Sequence, residues 1–530
     1  MMKKFFKLMV LAAALPVLFS GCRKESTERV AVGLYATELE IQTYSEMWDV
    51  LWRGFNQNYV GWEIEDFDWD ESKEIYTPKF EELDERVEAI NEAETPDSEA
   101  FEEVAADADK LMHEIFDRFH DGHLFIQYLD YATSERKGFS PANTRNSTRE
   151  DIDDNPKMEK NYYCTPTGEF GAPGEFEHIS VAGVMCRLIL EKLPEMESEF
   201  TRLSGLDSLE IGEDAILEAL EAKLPFFRKM KSYMEKSDFY ASSLYSMYTD
   251  DISDTDMALL RLEYGLPTTH FSDEDIATLV IGTTKDNIVY YRLNHFYMPE
   301  YRMLELSDFD KLTAADSSVY NTYYAALRQL HDKTYRMHSD GTLKGVILDV
   351  RGNGGGLADH LKWVAGMFYK GERYSPGKMK MKNGLGRLDY SAPMNFYMSC
   401  YGTNEEDIDE PIVILTNANS VSCSEVTTAS VKQHANGISM GTTTWGGGNK
   451  LVDDARYNSL LGYAGCIGEY NKTAVYVYLP YILTSYYDLG VIDGVGIAPD
   501  IEVAYDNDLY EATGRDNQFE RALSYIRNGE

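Results

Sequence analysis

Between residues 44 and 121, apolar side chains recur three and four positions apart, which is the spacing of one helix face. The two stripes consist of Trp48, Leu51, Trp52 and Phe55, then of Phe101, Val104, Ala108, Leu111, Ile115 and Phe119. Trp62 and Trp69 stand among acidic residues and are interpreted as packing residues, and the acidic run 91–109 as a solvated helix face. This part of the chain is therefore expected to be a helical domain.

From residue 277 onward the pattern changes to short apolar runs bounded by polar residues, which is typical of buried strands. The predicted strands are 277–281, 288–293, 345–350, 411–416 and 475–479, and the predicted helices are 317–337, 357–369, 425–434 and 518–527. Strands that alternate with helices indicate a βαβ-layered sheet. The expected fold class is α/β, or α+β once the N-terminal helices are included.

Residues 1–22 have the three parts of a secretion signal. Three lysines lie among the first seven residues, an apolar run covers 8–19, and Ser20-Gly21-Cys22 ends it. The stretch resembles a bacterial lipoprotein signal, with Cys22 as the lipidated first residue of the mature chain. Phe19 fits the lipobox loosely, so cleavage by an ordinary signal peptidase is the alternative. No later run reaches the roughly 18 apolar residues of a membrane span, which predicts a lipid-anchored protein of the bacterial cell envelope, facing the periplasm or the exterior.

The length of 530 residues exceeds that of a usual single domain. We expect the signal to be followed by an N-terminal helical domain at 23–133, a linker and mainly helical region at 134–275, and a βαβ-layered core at 276–530. Residues 134–178 are rich in glycine, proline, asparagine and aspartate, which predicts loop structure.

The charge of the chain restricts its partners. The formal charge is −40, and −43 once the three signal lysines are lost, which excludes nucleic acid and an anionic membrane surface as partners. Five cysteines remain after Cys22, in a spacing that predicts neither zinc ligation nor a disulfide framework. His113, His120 and His123 also lack a good ligand spacing, so we expect no metal and no cofactor.

A serine-rich turn separates the predicted strand 411–416 from the helix 425–434. Ser422 would lie where the strand passes into the helix, beside unpaired backbone N–H groups and the positive end of the helix dipole. That position suits a nucleophile. The alternative is that Ser422 and Glu425 form an ordinary S-x-x-E capping box.

A glycine-rich turn, Arg351-Gly-Asn-Gly-Gly-Gly356, follows the predicted strand 345–350. Such a turn exposes backbone amides and suits an anion, either a phosphate or the oxyanion of an acyl-transfer intermediate. The phosphate alternative is disfavoured, because no Gly-Lys-Ser/Thr follows and the spacing is not G-x-G-x-x-G.

Five ordered motifs together resemble the tail-specific (C-terminal-processing) serine peptidases and their tricorn-core and interphotoreceptor retinoid-binding relatives. The motifs are Asp121-Gly-His123, Asn287–Leu293, LDVRGNGGG at 348–356, S-x-S-x-S-E at 420–425, and Asp493–Asp500. The resemblance implies a ClpP/crotonase-like core in which Ser422 is the nucleophile. It also implies an oxyanion hole formed by the backbone amides of Gly355 and Cys423. No convincing counterpart of the family's PDZ domain is found.

The general base departs from the family pattern. Bacterial tail-specific enzymes carry a lysine in a Phe-Gly-Lys-Gly turn, whereas this chain has Trp445-Gly446-Gly447-Gly448. Lys450 is displaced by three residues, and a base must lie within about 3 Å of its nucleophile or act through one water. The tricorn-like branch uses an N-terminal histidine instead, and His123 resembles that histidine.

A histidine base needs a partner that fixes its tautomer. Tricorn-like enzymes use a glutamate near the C-terminal Gly-Val-x-Pro-Asp motif, and the matching residue here is the shorter Asp493. Asp121 is the alternative, Glu425 is interpreted as part of the helix cap, and Asp493 could simply begin an Asp-Gly turn.

The predicted function is that of a serine-type endopeptidase that hydrolyses peptides or unfolded proteins through an acyl-enzyme, with His123 replacing the missing lysine. The alternative is a catalytically inactive relative that binds ligands or peptides. Oligomeric state does not follow from the sequence.

Overall fold

A computed structural model describes the chain in part. The described residues are 41–149, 151–152, 169, 176–179, 181–206, 208–234, 279–296, 314–384, 386–404, 406–449, 466–468, 470–471 and 473–529. The predicted signal 1–22, Cys22 and Lys450 lie outside these ranges.

The helices and strands follow one another along the described chain. The helices are α1 Tyr44–Asn58, α2 Trp69–Glu92, α3 Ser98–Phe116, α4 Pro141–Asn146, α5 Val181–Ser204, α6 Glu213–Met234, α7 Ala314–Ser339, α8 Cys423–Gln433, α9 Asn507–Thr513 and α10 Asn517–Asn528. The strands are β1 Phe125–Leu129, β2 Arg136–Phe139, β3 Phe176–Ile179, β4 Leu279–Thr283, β5 Ile288–Leu293, β6 Gly345–Asp349, β7 Gly371–Met381, β8 Met394–Asn404, β9 Ile412–Thr416, β10 Gly437–Gly441, β11 Cys466–Ile467, β12 Val475–Tyr478, β13 Ile482–Tyr486 and β14 Ile501–Glu502. No helix in these ranges is both long enough and apolar enough to cross a membrane.

The chain divides into two compact units. The first takes its described residues from Met1–Asn143, Lys380–Pro393 and Asn449–Leu483, and the second from Thr144–Met379, Met394–Gly448 and Thr484–Glu530. The sequential boundaries at 133 and 275 stay predictions.

The first unit contains α1 to α3 and a four-stranded sheet in the order β11-β12-β1-β2. Each helix begins at a side-chain cap, from Thr43, Asp68 and Asp97 respectively. The apolar stripes meet in an aromatic core, in which Trp48 stacks on Phe80 with 5.7 Å between ring centroids. The members of this core include Trp62 and Trp69, both buried, so the interpretation of these two as packing residues is confirmed.

The second unit is built on a seven-stranded sheet in the order β14-β10-β9-β6-β5-β4-β3. In this sheet β14, β10, β9, β6 and β5 pair in parallel, each with the next. At the other edge, β4 pairs antiparallel with both β5 and β3. All residues of β5, β6 and β9 are buried, as their continuous apolar runs predict. The mixed α/β class of the core is therefore confirmed.

The C-terminal helix α10 packs on this sheet. Phe519, Ala522 and Leu523 join Val413 and Leu415 of β9 in a buried cluster. The predicted helix 518–527 is therefore confirmed, and its amphipathic face covers one side of the strands that lead to the glycine and serine turns.

One predicted helix is wrong. Residues 357–369 form two 3₁₀ turns, Ala358–Trp363 and Ala365–Met367, and no α-helix. Phe296 pairs with the glycine turn just before them, since its N–H donates to the Gly355 carbonyl at 2.8 Å and its own carbonyl accepts from Leu357 at 3.2 Å. Gly366 lies so close to β8 that a Cβ there would be 2.5 Å from the Ser399 carbonyl oxygen. These tertiary contacts override the helical periodicity.

Candidate active site

The glycine turn and the serine turn meet at one edge of the sheet, because β6 and β9 are parallel neighbours and both turns follow their carboxyl ends. The Asn353 carbonyl accepts from the Val421 N–H at 3.0 Å and from the Ser424 hydroxyl at 2.7 Å. The Ser420 hydroxyl donates to the Val350 carbonyl at 2.8 Å. These bonds hold the two turns together over their whole length.

Ser422 lies immediately before α8, as the sequence predicts. Its φ is +55° and its ψ is −112°, a conformation that residues with a Cβ rarely adopt and that costs of order 1–3 kcal/mol. Sharp backbone geometry at a strand-to-helix junction presents a serine side chain beside the amino end of the helix. Ser422 and Glu425 also form the capping box, with the Ser422 N–H 3.1 Å from Glu425 Oε2.

Gly355 packs directly against Ser422. Its φ is +95°, and a Cβ there would lie 2.7 Å from the Ser422 Cβ and 3.1 Å from the Cys423 nitrogen. Only glycine fits this position. The Gly355 N–H donates to Asn353 Oδ1 at 2.9 Å, so its use for an oxyanion requires that bond to be exchanged, and the predicted oxyanion role stays a prediction.

Cys423 is a buried neighbour of the predicted nucleophile, and its thiol donates to the Gly356 carbonyl at 3.1 Å. The side chain thus fills the space between α8 and the glycine turn. Cys423 therefore packs as a small core residue.

Glu425 is fully buried and does more than cap α8. Its Oε1 accepts from the Thr444 hydroxyl at 2.6 Å and from the Gly446 N–H at 2.8 Å, and its Oε2 accepts from the Gly447 N–H at 2.8 Å. Burial raises the pKa of Glu425, while these donors and the Ser422 N–H lower it. The segment 445–448, where the family carries its lysine, is held here by its own backbone amides, which donate to Glu425.

The predicted orienting residue Asp493 lies in the second unit and is almost fully buried. The next residue, Gly494, donates its N–H to the Gly446 carbonyl at 3.0 Å. The Asp493 turn is therefore attached to the same segment that Glu425 holds.

Arg351, at the start of the glycine turn, is a buried cation with two carboxylate partners. Its guanidinium donates to Asp349 Oδ1 at 2.9 Å and Oδ2 at 2.6 Å, and to Asp516 Oδ2 at 2.8 Å. Asp516 also accepts from the Gln518 and Phe519 N–H groups at 3.0 Å and so caps α10. The C-terminal helix is thereby joined to the glycine turn.

His123 lies in the first unit, whereas Ser422, Gly355, Cys423 and Asp493 lie in the second. The pairing of His123 with Ser422 therefore stays a prediction. Burial lowers the pKa of His123 to about 4. Among the described residues, its buried Nδ1 has no hydrogen-bond partner.

Asp121 is buried beside His123 in the first unit. Its Oδ1 accepts from the His123 N–H at 2.8 Å and the Leu124 N–H at 3.0 Å, and its Oδ2 accepts from Asn449 at 3.3 Å. Burial raises the pKa of Asp121 to about 7. Because Asp121 accepts from the backbone N–H of His123, this contact fixes the turn at 121–124. It does not determine the tautomer of the His123 imidazole.

The other two histidines of the first unit pair with carboxylates. His113 Nδ1 lies 2.9 Å from Asp117 Oδ2, and His120 Nδ1 lies 3.0 Å from Glu65 Oε2. Both imidazoles are thus engaged in side-chain pairs that need no metal.

Sequence reasoning missed two residues of the site. The backbone carbonyl of Asn353 accepts from Val421 and Ser424 of the serine turn, while its side-chain amide donates to the Leu293 carbonyl. For Glu425, the sequence indicates a cap alone. Asn353 lies inside the glycine motif that the sequence singles out, so its position there was the available signal. Nothing in the local sequence of Glu425 indicates the donors at Thr444, Gly446 and Gly447.

A serine on a strained strand-to-helix junction, with a glycine turn packed against it, is the arrangement of a serine hydrolase nucleophile. Residues 301–503 match the model of Peptidase family S41, which indicates a serine peptidase. No curated protein matches the chain.

Several solved structures are similar to the chain. A candidate peptidase from Parabacteroides merdae is 14% identical, covers 92% of this chain and 97% of its own, and has a TM-score of 0.43. Mature CPAF is 12% identical, covers 93% and 98%, and has a TM-score of 0.41. A candidate S41 protease from Bacteroides fragilis is 14% identical, covers 48% and 57%, and has a TM-score of 0.31. Similarities of this size carry no functional information about this chain.

Proposed function

We propose that the protein is a serine-type endopeptidase that cleaves peptides or unfolded proteins with Ser422 as its nucleophile. The observation that carries this proposal is the close approach of Gly355 to Ser422 and Cys423, with a positive φ at both Gly355 and Ser422. Strained backbone of this kind persists where the surroundings over-determine it, and it clusters at functional sites.

In the proposed reaction, Ser422 Oγ attacks the scissile carbonyl carbon and gives its proton to His123. The tetrahedral oxyanion is held by the backbone amides of Gly355 and Cys423. The carbon–nitrogen bond then breaks, and His123 returns the proton to the leaving amine. Water, deprotonated by the same histidine, hydrolyses the acyl-enzyme and regenerates Ser422. No redox partner or cofactor enters these steps.

The pKa of His123 fixes its protonation state but makes it a weaker proton acceptor than a free imidazole. A general base must be unprotonated, and a pKa lowered to about 4 keeps the imidazole neutral across physiological pH. We expect kcat/KM to rise with pH through about 4 and to stay level towards pH 8. An amine base would instead give a rise on the alkaline side, and that profile would contradict His123.

The orienting carboxylate is assigned to Asp493, with Asp121 as the alternative. Asp493 belongs to a turn that is attached to Gly446, whereas Asp121 already accepts two backbone N–H groups. For the whole protein we propose secretion to the cell envelope and anchoring through lipidated Cys22.

A second function is favoured by one specific observation. Gly447 stands where the family's lysine is expected, and its N–H is used by Glu425. A member without a working base would be a binding protein for peptides or other ligands.

The test is hydrolysis of a fluorescently labelled unfolded protein by the full chain. Ser422→Ala and His123→Ala should each abolish turnover, and Asp493→Asn should lower it roughly a hundredfold or more, as loss of an orienting carboxylate does in serine triads. Ser147→Ala removes an exposed hydroxyl of the same unit and serves as the matched control. Turnover within about threefold of wild type in Asp493→Asn would transfer the orienting role to Asp121.

A further inference from the structure

Glu425 connects two segments of the chain, since its hydrogen-bond partners include Ser422 on one side and Thr444, 19 residues away, on the other. One is the serine turn, through the Ser422 N–H, and the other is the segment Thr444–Gly447, through one hydroxyl and two backbone amides. Of these four contacts of the Glu425 carboxylate, a capping box uses only the one with the Ser422 N–H. The three additional donors therefore indicate a role beyond the helix cap.

The Ser422 side of this connection carries backbone strain. Ser422 has a φ of +55°, and such a conformation is retained when neighbouring groups fix it. The Glu425 carboxylate binds the N–H of Ser422, while the Ser422 carbonyl accepts from the Glu425 N–H at 2.9 Å and the Val426 N–H at 3.0 Å. Glu425 thus binds both the backbone N–H and the backbone carbonyl of the strained residue Ser422.

The other side leads to the turn of Asp493. Gly446 donates its N–H to Glu425 Oε1 and accepts from the Gly494 N–H at 3.0 Å. Thr444 donates its hydroxyl to Glu425 Oε1 and accepts from the Ile497 N–H at 2.7 Å. Glu425 is therefore connected to the turn that follows Asp493 at two positions, to Gly494 through Gly446 and to Ile497 through Thr444.

We propose that Glu425 is a positioning residue that sets the nucleophile and the Asp493 turn in one fixed geometry. This inference rests on the proposed function for its catalytic consequence, although the coupling of the two segments does not depend on activity. In this chain the segment 445–448 supplies backbone N–H donors to Glu425. The backbone of this segment is used in place of the lysine side chain that the family carries there.

Glutamine at position 425 separates this role from simple packing. Each carboxylate oxygen accepts from two donors, Ser422 and Gly447 on Oε2, and Thr444 and Gly446 on Oε1. The amide of glutamine has the same shape but a single acceptor oxygen. Its NH₂ group would face two donors, so one of the two pairs must separate.

We expect Glu425→Gln to lower kcat about a hundredfold with KM within about threefold, since small misplacement of reacting groups can cost that much. Thr444→Val, which removes one donor, should lower kcat about tenfold, and Thr444→Ser, which keeps the hydroxyl, should restore it. Glu410→Gln is the matched control, because Glu410 pairs with His338 and not with either turn.

Hydrogen exchange measured by mass spectrometry on the same proteins tests the coupling without activity. In Glu425→Gln, exchange should accelerate in peptides that contain Ser422, Thr444–Gly447 and Gly494–Ile497, and stay unchanged in β5 and β6. Unchanged protection of those peptides, or an equal fall of kcat in Glu410→Gln, would overturn the proposal. A wild type that hydrolyses nothing would count against the proposed function, and the exchange data would still decide the coupling.

Discussion

Asp349 and Glu425 both lie at the edge of the sheet where the two turns meet, and neither side chain is exposed to solvent. Asp349 is compensated by a full charge, since Arg351 donates to both of its oxygens, and the pKa of Asp349 is lowered as a result. Glu425 is bound by neutral donors alone, and burial raises its pKa.

The difference separates two ways of holding a catalytic turn. An ion pair fixes the glycine turn through a cation that also binds α10, so it is stable wherever the carboxylate is ionised. One hydroxyl and three backbone amides fix the Glu425 carboxylate beside the serine turn, and without a cation this carboxylate is protonated more easily.

The largest expected effect comes from removing the cation. Arg351→Met removes the cation that binds both oxygens of buried Asp349, and we expect the free energy of unfolding to fall by about 3–5 kcal/mol. Urea unfolding followed by circular dichroism measures this loss. The double variant Arg351→Met with Asp349→Asn should recover much of it, and a single-variant loss below about 1 kcal/mol would contradict the account of the ion pair.

A smaller effect is expected at the second partner of Arg351. Asp516→Asn removes the charge but keeps an oxygen that can cap α10, so the loss should be about 1.5–3 kcal/mol, the contribution of a hydrogen bond to a charged group. Asp508→Asn, at the start of α9 and exposed, provides the comparison. Equal stability of the two variants would show that α10 is not held through Arg351.

The smallest effect concerns pH. Because the folded-state pKa of Glu425 is raised above 4.5, the folded protein binds this proton more tightly than the unfolded chain does. Wild-type stability should therefore fall relative to Glu425→Gln as the pH rises above 4.5 and through the raised pKa. The contribution of Asp349 has the opposite sign, and is lost as the pH falls below 3.8 and through its lowered pKa. Unfolding free energies from pH 3 to 8 for wild type and Glu425→Gln check the direction for Glu425, because the Asp349 contribution is common to both proteins, and parallel curves would contradict the raised pKa of Glu425.

Much of the second unit could be predicted from the sequence, because its strands are continuous apolar runs. Residues 288–293 were predicted with the bounds of β5, and the runs 345–350 and 411–416 contain β6 and β9. The error at 357–369 arose where Phe296 and Ser399, distant in sequence, occupy the space that an α-helix would need. Local periodicity contains no signal for such contacts.

The same limit applies to the candidate site. The position of Ser422 before a helix follows from the adjacent strand and serine turn. The partners of Glu425 and of Arg351 do not, because Thr444, Gly446 and Asp516 approach through the tertiary fold. The polar groups at this edge of the sheet are buried, and buried polar groups need hydrogen-bond partners. The tertiary fold, and not the local sequence motif, determines which of these groups pair.

The central claim is that Ser422 is an activated nucleophile, and a fluorophosphonate probe tests it most directly. The account predicts one covalent adduct on folded wild-type protein, mapped by mass spectrometry to the peptide that contains Ser422 and absent from Ser422→Ala. Folded wild-type protein that stays unlabelled, or an adduct on any other residue, would contradict the claim.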